Sequence, residues 1–329
     1  MSFFAILFAL LIEQVRPMAR DNPVHSGSLA WARWVSRNLD AGRKHHGWVA
    51  WAITVVVPAL VAALAYRLLN AAIGWPVAMV WSVLVLYVTL GFRQFSHHFT
   101  RIRDALDAGE PDQARELLAQ WQQVDAANLP RSELLRHVIE YSVLAAHRHV
   151  FGVLACYSVF ALLGFGPAGA VLYRMAEFVS RYWWHRHRTQ GQPVSLALQD
   201  AASRAWHVID WLPARITALG FAVVGSFEEA IDCWRHHAQR FPNDNDGVVL
   251  AATSGAINVR LGGEALRSAY AMPGVSSTEP PMATSEDSES TPGREAEPAH
   301  LRSVVGLVWR SVVLWMGLLA LLTLSRLMG

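Results

Sequence analysis

The feature that most constrains this chain is the apolar run from Trp48 to Leu69, in which Arg67 is the one charged residue. A helix of this length spans the roughly 30 Å hydrocarbon core of a bilayer. A second apolar run, Trp75 to Phe92, follows a short turn at 70–74 and is predicted to return. Pro58 predicts a kink in the first helix, because proline removes one backbone donor. The two runs predict a helical membrane hairpin.

The composition supports a membrane protein. Hydrophobic residues make up 53% of the 329 residues and charged residues only 16%, which is too apolar for an ordinary soluble enzyme of this length. The net charge of +2 is too small to indicate a nucleic-acid partner. Cys156 and Cys233 are the only cysteines, so neither a disulfide scaffold nor a CxxC site is available. We predict an all-α, polytopic integral membrane protein with short or broken helices and cytoplasmic amphipathic helices.

The basic residues predict the orientation. Residues 16–47 are rich in arginine, and Trp31 and Trp34 alternate with the arginines as in an interfacial helix. By the positive-inside rule this loop faces the cytoplasm and the turn at 70–74 faces the periplasm. The apolar segment Ser2 to Ile12 lacks a basic leader, so it is not expected to be a cleaved signal peptide. We therefore expect a multi-pass protein of a bacterial-type inner membrane.

Residues 93–149 are again basic and amphipathic, with a helix break at Gly109-Glu110-Pro111. On the last helix of this region, Glu133, His137, Glu140 and His147 recur at spacings that place them on one face. That face is open to two interpretations: a solvated surface of a cytoplasmic helix, or one wall of a site.

The run from Val150 to Tyr173 has basic residues on both flanks and a Gly/Pro break at 164–169. If both flanks are cytoplasmic, the run must enter the membrane, turn at the break and return as two short helices. Such broken helices are tolerated at membrane depth where they are buried or line a cavity. The pattern therefore favours a site in this region.

The stretch Ala205–Gly225 changes from amphipathic to apolar at Pro213. A proline in the first turn of a helix is favourable, so we predict an interfacial helix that turns at Pro213 into a new membrane helix. Further on, the small residues between Ala251 and Ala256 allow either close helix packing or backbone approach to a ligand. We predict domains of 1–265 (membrane domain), 266–302 (disordered linker rich in Pro, Ser and Thr) and 303–329 (C-terminal transmembrane helix).

The histidines occur mostly as doublets beside Arg or Trp, without a spaced His-Glu or cysteine partner. Interfacial histidines explain these doublets, so no metal site is predicted. The chain also contains no GxxxxGK[ST] phosphate loop and no GxSxG elbow.

Several segments resemble the CobD/CbiB family of cobalamin biosynthesis. DWLPARIT, Asp210 to Thr217, is similar to its (N/D)-x-(I/V)-P-(A/V)-R-(L/I) segment, which the AmpE family shares. The NDG…AA..GA..VRLGG pattern from Asn245 to Gly263 is similar to the NSGWPxAAMAGALGVRLGG segment of CobD/CbiB proteins. LLIEQVRP, around Glu13, lies where that family has an acidic LDxxxGDP-like segment.

The resemblance implies a membrane enzyme that joins aminopropanol to adenosylcobyric acid with ATP, using carboxylates for Mg²⁺-phosphate binding and general-base chemistry. Mapped onto the motifs of the family, the residues implied as catalytic are Asp125, Glu140 and Glu177. The residues implied as substrate-binding are Glu13, Asp210, Arg215, Asn245 and Arg260.

Other acids of the family motifs are replaced. Ser180 stands in place of an aspartate, and Trp206 and His207 stand in place of paired aspartates before Pro213. The loss argues against amide ligation, since arginine and histidine do not hold Mg²⁺ as carboxylates do.

Two hypotheses remain open. One is a CobD/CbiB-like protein of cobalamin biosynthesis, with ATP and Mg²⁺ as cofactors only if ligation survives. The other is a non-catalytic AmpE-like membrane sensor or signalling modulator of cell-wall state or β-lactamase regulation, which a C-terminal span after a linker resembles. The expected partners are the lipid bilayer and a corrinoid or another small molecule, not nucleic acid.

Overall fold

The computed structural model describes residues 2–16, 22–122, 130–189, 194–263 and 290–328. These residues are helical apart from turns, loops and two isolated bridges, Val259 with Arg294 and Gly262 with Ser290. The prediction of an all-α protein is confirmed. In chain order the helices are α1 Ser2–Val15, α2 Pro23–Leu39, α3 Lys44–Ala72, α4 Trp75–Thr89, α5 Phe92–Asp107, α6 Pro111–Gln122, α7 Arg131–Ala146, α8 Gly152–Leu162, α9 Ala168–Thr189, α10 Leu196–Val224, α11 Phe227–His237, α12 Asp244–Ile257 and α13 Pro298–Met328.

Four helical stretches are long and apolar enough to cross a membrane, among the residues that the structure describes: Lys44–Ala72, Arg131–Leu162, Leu196–Val224 and Pro298–Ser325. Helices α1 and α4 are apolar but shorter. The predicted returning helix to Phe92 ends at Thr89. These lengths fit a polytopic helical membrane protein.

The chain divides into two compact units. The first contains Met1–Gly91, Arg148–Pro213 and Leu319–Gly329, and the second contains Phe92–His147 and Ala214–Leu318.

In the first unit, α3 packs against α2, α4 and α9, and α1 packs against α4. Trp31 in α2 donates its indole N–H to the carbonyl of Thr54 in α3, so this predicted interfacial tryptophan also joins two helices. Helices α8 and α9 form the hairpin predicted for 150–173, separated by the Gly/Pro break. They approach closely because Gly169 has no side chain: a Cβ there would stand 2.1 Å from the carbonyl oxygen of Cys156.

In the second unit, α5 and α6 pack against each other and against α7, and α11 and α12 form a tight pair. Gly255 permits that pairing, because a Cβ there would stand 2.2 Å from the carbonyl oxygen of Glu229. The small residues of α12 therefore serve helix packing. Asn258, two residues before the RLGG segment (residues 260–263), has a left-handed backbone that ends α12.

The structure corrects the predicted turn at Pro213. Helix α10 is continuous from Leu196 to Val224, with Pro213 inside it. An apolar helix tolerates an internal proline when neighbouring groups satisfy the freed carbonyl. The prediction of a new helix at Pro213 is wrong: the sequence changes there from amphipathic to apolar within one continuous helix.

Helix α7 also differs from the simple surface interpretation. It is joined to α8 by a π-helical turn, His147–Phe151, and its polar face is buried rather than solvated, with Glu140 and His147 both at 0% exposure. Leu134, Leu135, Val138 and Ile139 are buried as well, so apolar residues surround the helix on more than one side. A helix apolar on several sides is typically buried.

The C-terminal helix α13 begins at Pro298, before the predicted boundary at 303. Residues 264–289 of the predicted linker lie outside the described residues. The linker and the domain boundaries therefore stay predictions.

Candidate functional site

The candidate site of the second unit is built around Glu140. Its Oε1 accepts a 2.7 Å hydrogen bond from the backbone N–H of Gly262 in the RLGG segment. Oε2 is buried without a hydrogen-bond partner among the described residues. A buried carboxylate with one unbonded oxygen can accept a hydrogen bond from a ligand, because leaving it unpaired is costly.

Cationic and imidazole groups surround this carboxylate. Arg136 Nε lies 3.9 Å from Glu140 Oε1, and His137 Nδ1 lies 3.9 Å from Oε2. Arg136 also forms an ion pair with Glu133, one turn earlier. Gly263 leaves space for the guanidinium, since a Cβ there would stand 2.8 Å from Arg136 Nη1.

The RLGG segment is held from its other side by residues 290–294. Thr291 Oγ1 accepts a 2.8 Å hydrogen bond from the N–H of Leu261, and the N–H of Thr291 donates to the Leu261 carbonyl at 2.8 Å. Ser254 Oγ in α12 lies 2.7 Å from Thr291 Oγ1. Residues that were predicted as linker therefore fix the backbone that Glu140 contacts.

Arg215 and Asn245 meet in the same unit. Arg215 donates from Nη1 to Asn245 Oδ1 at 3.0 Å, and Asn245 is 1% exposed. Asn245 lies in the first turn of α12, whose N-cap is Asn243. The backbone N–H of Arg260 donates to the Arg294 carbonyl at 2.7 Å, which fixes the backbone from which its half-buried side chain extends.

The predicted site residues of the first unit form separate contacts. Glu177 in α9 bonds to Arg174 and Arg181, each at 2.9 Å. Burial alone would raise the pKa of Glu177, but Arg174, Arg181, His149 and Arg148 together hold it well below its usual range. A carboxylate held this way stays ionised and bonded to its arginines. It therefore suits the positioning of those arginines better than it suits general-base catalysis.

Asp210 is fully buried and its Oδ1 accepts a 2.7 Å hydrogen bond from Tyr173. Glu13 at the end of α1 is 4% exposed, so it is not a solvated charge that merely ends the apolar segment. Both are buried carboxyl groups in an apolar unit, where ionisable residues are costly and typically functional.

The structure thus groups some predicted residues and leaves others untested. Glu140 joins the RLGG segment and Arg215 joins Asn245 in the second unit, whereas Glu13, Glu177 and Asp210 belong to the first. Asp125 lies outside the described residues. Sequence reasoning missed Arg136, although its spacing four residues before Glu140 is a recognisable signal. It also missed Thr291, for which a Pro/Ser/Thr-rich stretch offers no signal.

Among the described residues, the predicted catalytic carboxylates do not form a Mg²⁺ site. Within the described ranges, no group of three or more His, Cys, Asp or Glu side chains could hold a metal ion. Glu177 and Glu140 are the two predicted catalytic residues that the structure describes, and both have other partners. Both Glu177 oxygens accept hydrogen bonds from arginines, and one Glu140 oxygen accepts a hydrogen bond from a backbone N–H. This donor set does not fit a cation that prefers carboxylate and water oxygens.

Comparisons with known proteins identify relatives. The family model described as CobD/Cbib protein matches residues 3–291. The Cobalamin biosynthesis protein CobD of Stutzerimonas stutzeri is 28% identical over 320 residues, covering 95% of each chain. The proteins of the same name from Chromobacterium violaceum and Leptospira interrogans are 33% identical over 183 residues and 26% identical over 196 residues.

The last two matches cover 56% and 57% of this chain, and 55% and 58% of the relatives, so they span little more than half of each protein. The match to the Stutzerimonas protein covers 95% of this chain and therefore includes part of α13. The AmpE resemblance stays a prediction. No solved structure matches the chain.

Proposed function

The chain belongs to the CobD/CbiB family, and from this premise we propose that it is a membrane protein of cobalamin biosynthesis that binds a corrinoid precursor without ligating it. The observation that carries the proposal is the hydrogen bond between Glu140 and Gly262, at 2.7 Å. It joins the two segments of the second unit that resemble the family, the α7 helix and the RLGG segment, into one site.

The charged and amide groups of the second unit suit a precursor that carries acid and amide groups. Arg136 and the Arg215–Asn245 pair present guanidinium and amide donors in the second unit. Guanidinium groups bind carboxylates and phosphates through paired hydrogen bonds. The unbonded Glu140 oxygen adds an acceptor for an amide N–H of the ligand.

The proposal assigns no ligation step to the chain. Ligation with ATP needs carboxylates that hold Mg²⁺ and accept a proton. The contacts of Glu177 support the absence of a ligation step, since each of its two oxygens accepts a hydrogen bond from an arginine. The replacement of family acids at Ser180, Trp206 and His207 supports it independently.

The test uses the full-length protein purified in detergent. Binding of adenosylcobyric acid is followed by quenching of tryptophan fluorescence, and turnover by ADP release and the mass of the corrinoid in the presence of ATP, Mg²⁺ and aminopropanol. We expect saturable binding with no new corrinoid mass. Glu140→Gln should weaken binding, and the exposed Glu228→Gln, in the same unit, should not.

If the wild type forms product and Glu140→Gln does not, the protein is a ligase and the proposal of binding without ligation is wrong. Absence of both binding and turnover would overturn the proposal and leave the AmpE-like signalling role.

For the location we propose an inner membrane, with the basic loops in the cytoplasm, from the positive-inside rule.

A further inference from the structure

The start of α3 marks where the first unit meets the surface of the membrane. Apolar side chains of α3 are exposed from its second turn onward, beginning with Trp48 at 44% and Val49 at 51% and continuing through Leu60 and Leu64, both at 59%. In a membrane-spanning helix such side chains contact lipid, and tryptophan prefers the boundary between the hydrocarbon and the headgroups. Lys44, the first residue of α3, precedes Trp48 by one turn, which is about 6 Å along the helix axis. The start of α3 therefore lies at the level of the lipid headgroups.

Three cationic side chains lie at or next to this level, on either side of the short connection from α2 to α3. Arg37 is in the last turn of α2, Arg43 directly precedes α3, and Lys44 begins α3. All three side chains are exposed, and none forms a hydrogen bond or an ion pair with a residue that the structure describes. We call these three residues the basic surface. Their charges are available to an anion outside the protein.

The acid nearest to these cations in the chain has another partner. Asp40 is the only acidic residue between Asn22 and Trp48. Its Oδ2 accepts a 2.8 Å hydrogen bond from the backbone N–H of Ser195, and its Oδ1 accepts one from the Ser195 hydroxyl at 2.5 Å. Ser195 directly precedes α10, so these bonds fix the connection between α2 and α3 to another helix of the same unit. Asp40 thus holds the basic surface in place without forming an ion pair with it.

Helix α2 also presents an aromatic group beside these cations. Trp31 donates its indole N–H to the Thr54 carbonyl at 3.3 Å, which holds α2 against the spanning helix α3. Trp34 stacks on Trp31 with a distance of 5.5 Å between the ring centroids, and it is still 52% exposed. Trp34 precedes Arg37 by three residues, so the two are neighbours on the helix surface. Exposed tryptophan next to unpaired cations is typical of a helix at a lipid interface.

We propose that the basic surface binds the anionic phosphate headgroups of the lipid leaflet in which it lies. Such headgroups carry the complementary charge, and the membrane concentrates them at the level of the start of α3. A soluble anion fits less well, because exposed ion pairs in water are weak. The inference rests on the membrane location of the chain and is independent of corrinoid binding by the second unit.

The test compares an anionic lipid with a lipid of no net charge. Native mass spectrometry of the full-length protein released from detergent measures the dissociation constants of the first bound phosphatidylglycerol and the first bound phosphatidylcholine. We expect tighter binding of phosphatidylglycerol. The preference should fall when ammonium acetate is raised from about 0.05 M to about 0.5 M, because salt screens exposed charges.

Removal of the three charges should remove most of this preference. Arg37→Gln/Arg43→Gln/Lys44→Gln should weaken phosphatidylglycerol binding about fivefold or more, which is the factor expected for one cation near a lipid surface, and should leave phosphatidylcholine binding unchanged. Arg37→Gln alone should give a smaller loss in the same direction, which protects the test if the triple variant fails to fold.

Two further variants separate the basic surface from net charge and from arginine chemistry. Arg101→Gln/Arg204→Gln/Arg235→Gln removes the same charge from three other exposed positions and should leave the lipid preference unchanged. Arg37→Lys/Arg43→Lys keeps the charge and should keep the preference within about twofold, because attraction to a charged lipid surface acts on lysine and arginine alike.

Equal phosphatidylglycerol binding by the wild type, Arg37→Gln and the triple variant of the basic surface would overturn the proposal. An equal loss in the control triple variant would also overturn it, since the net charge of the protein would then explain the preference. Inorganic phosphate is added as a competitor at matched ionic strength. Displacement of phosphatidylglycerol by phosphate would identify a soluble anion as the occupant and overturn the assignment to lipid.

Discussion

Glu140 Oε1 accepts a 2.7 Å hydrogen bond from the N–H of Gly262, although 122 residues separate them along the chain. The bond ties a buried helix to an irregular backbone segment that has no regular partner strand. A buried N–H of this kind needs an acceptor. The carboxylate therefore stabilises the RLGG segment in addition to any ligand contact.

Removal of this acceptor should destabilise the protein. Glu140→Ala leaves the Gly262 N–H without its partner, and we expect a loss of about 1–3 kcal/mol in the free energy of unfolding. Glu140→Gln keeps a side-chain oxygen and should recover part of that loss. Chemical unfolding in detergent measures both. Glu133→Ala, which alters a more exposed ion pair, is the control; an equal loss in both alanine variants would contradict the prediction.

The pairing of α11 and α12 predicts that Gly255 tolerates no side chain. Gly255→Ala would place a Cβ 2.2 Å from the Glu229 carbonyl oxygen, and the backbone shift should cost about 1–3 kcal/mol. Gly220→Ala is the matched control, because nothing lies within 4 Å of its Cβ position. Because Gly220 lies within a helix, its replacement by alanine should raise the free energy of unfolding by about 0.5–1 kcal/mol. Unfolding midpoints of the two variants that move in the same direction would refute this account.

Thr291 should control the order of the RLGG segment. Thr291→Val removes the oxygen that accepts from the Leu261 N–H at 2.8 Å, so amide exchange at 259–263 should accelerate. Hydrogen–deuterium exchange with mass spectrometry detects the change. Thr323→Val, which removes only a hydrogen bond within α13, should leave those amides unchanged. Unaltered exchange in Thr291→Val would mean that the helices alone hold the segment.

Glu177 predicts a loss of stability in acid. Its arginine partners outweigh burial and hold its pKa below the value of about 4.3 expected in an unfolded chain. A depressed pKa contributes stability that is complete above the unfolded pKa and is lost as the pH falls towards the folded one. The stability difference between wild type and Glu177→Gln should therefore shrink below about pH 4.3. A difference that grows in acid would reverse the assignment.

The proposed orientation predicts the side of each loop. Reporter fusions at Ala72, at the end of α3, and at Gln120, in α6, should report the periplasm and the cytoplasm respectively. Paired alkaline phosphatase and green fluorescent protein fusions give opposite signals for the two compartments. The reverse pattern would exclude the proposed topology and the hairpin argument for residues 150–173.

Much of the local structure follows from sequence because it depends on near neighbours. The apolar run from Trp48 to Leu69 predicts α3, and Gly109 with Pro111 predicts the break between α5 and α6. The helix spacing of Glu133, His137 and Glu140 predicts their common face. Pro213 misled the prediction because its effect depends on whether neighbours satisfy the freed carbonyl, which is a tertiary property.

The sequence by itself determined that this is a helical protein with membrane-length apolar segments, since length, hydropathy and helix-breaking residues are properties of contiguous chain. Only the tertiary structure decided that the polar face of α7 is buried, that Glu140 contacts Gly262, and that Thr291 holds the RLGG segment. These contacts join residues far apart in the chain. They form because buried donors and acceptors must find hydrogen-bond partners in the folded chain. The periodicity of the sequence does not indicate which groups become partners.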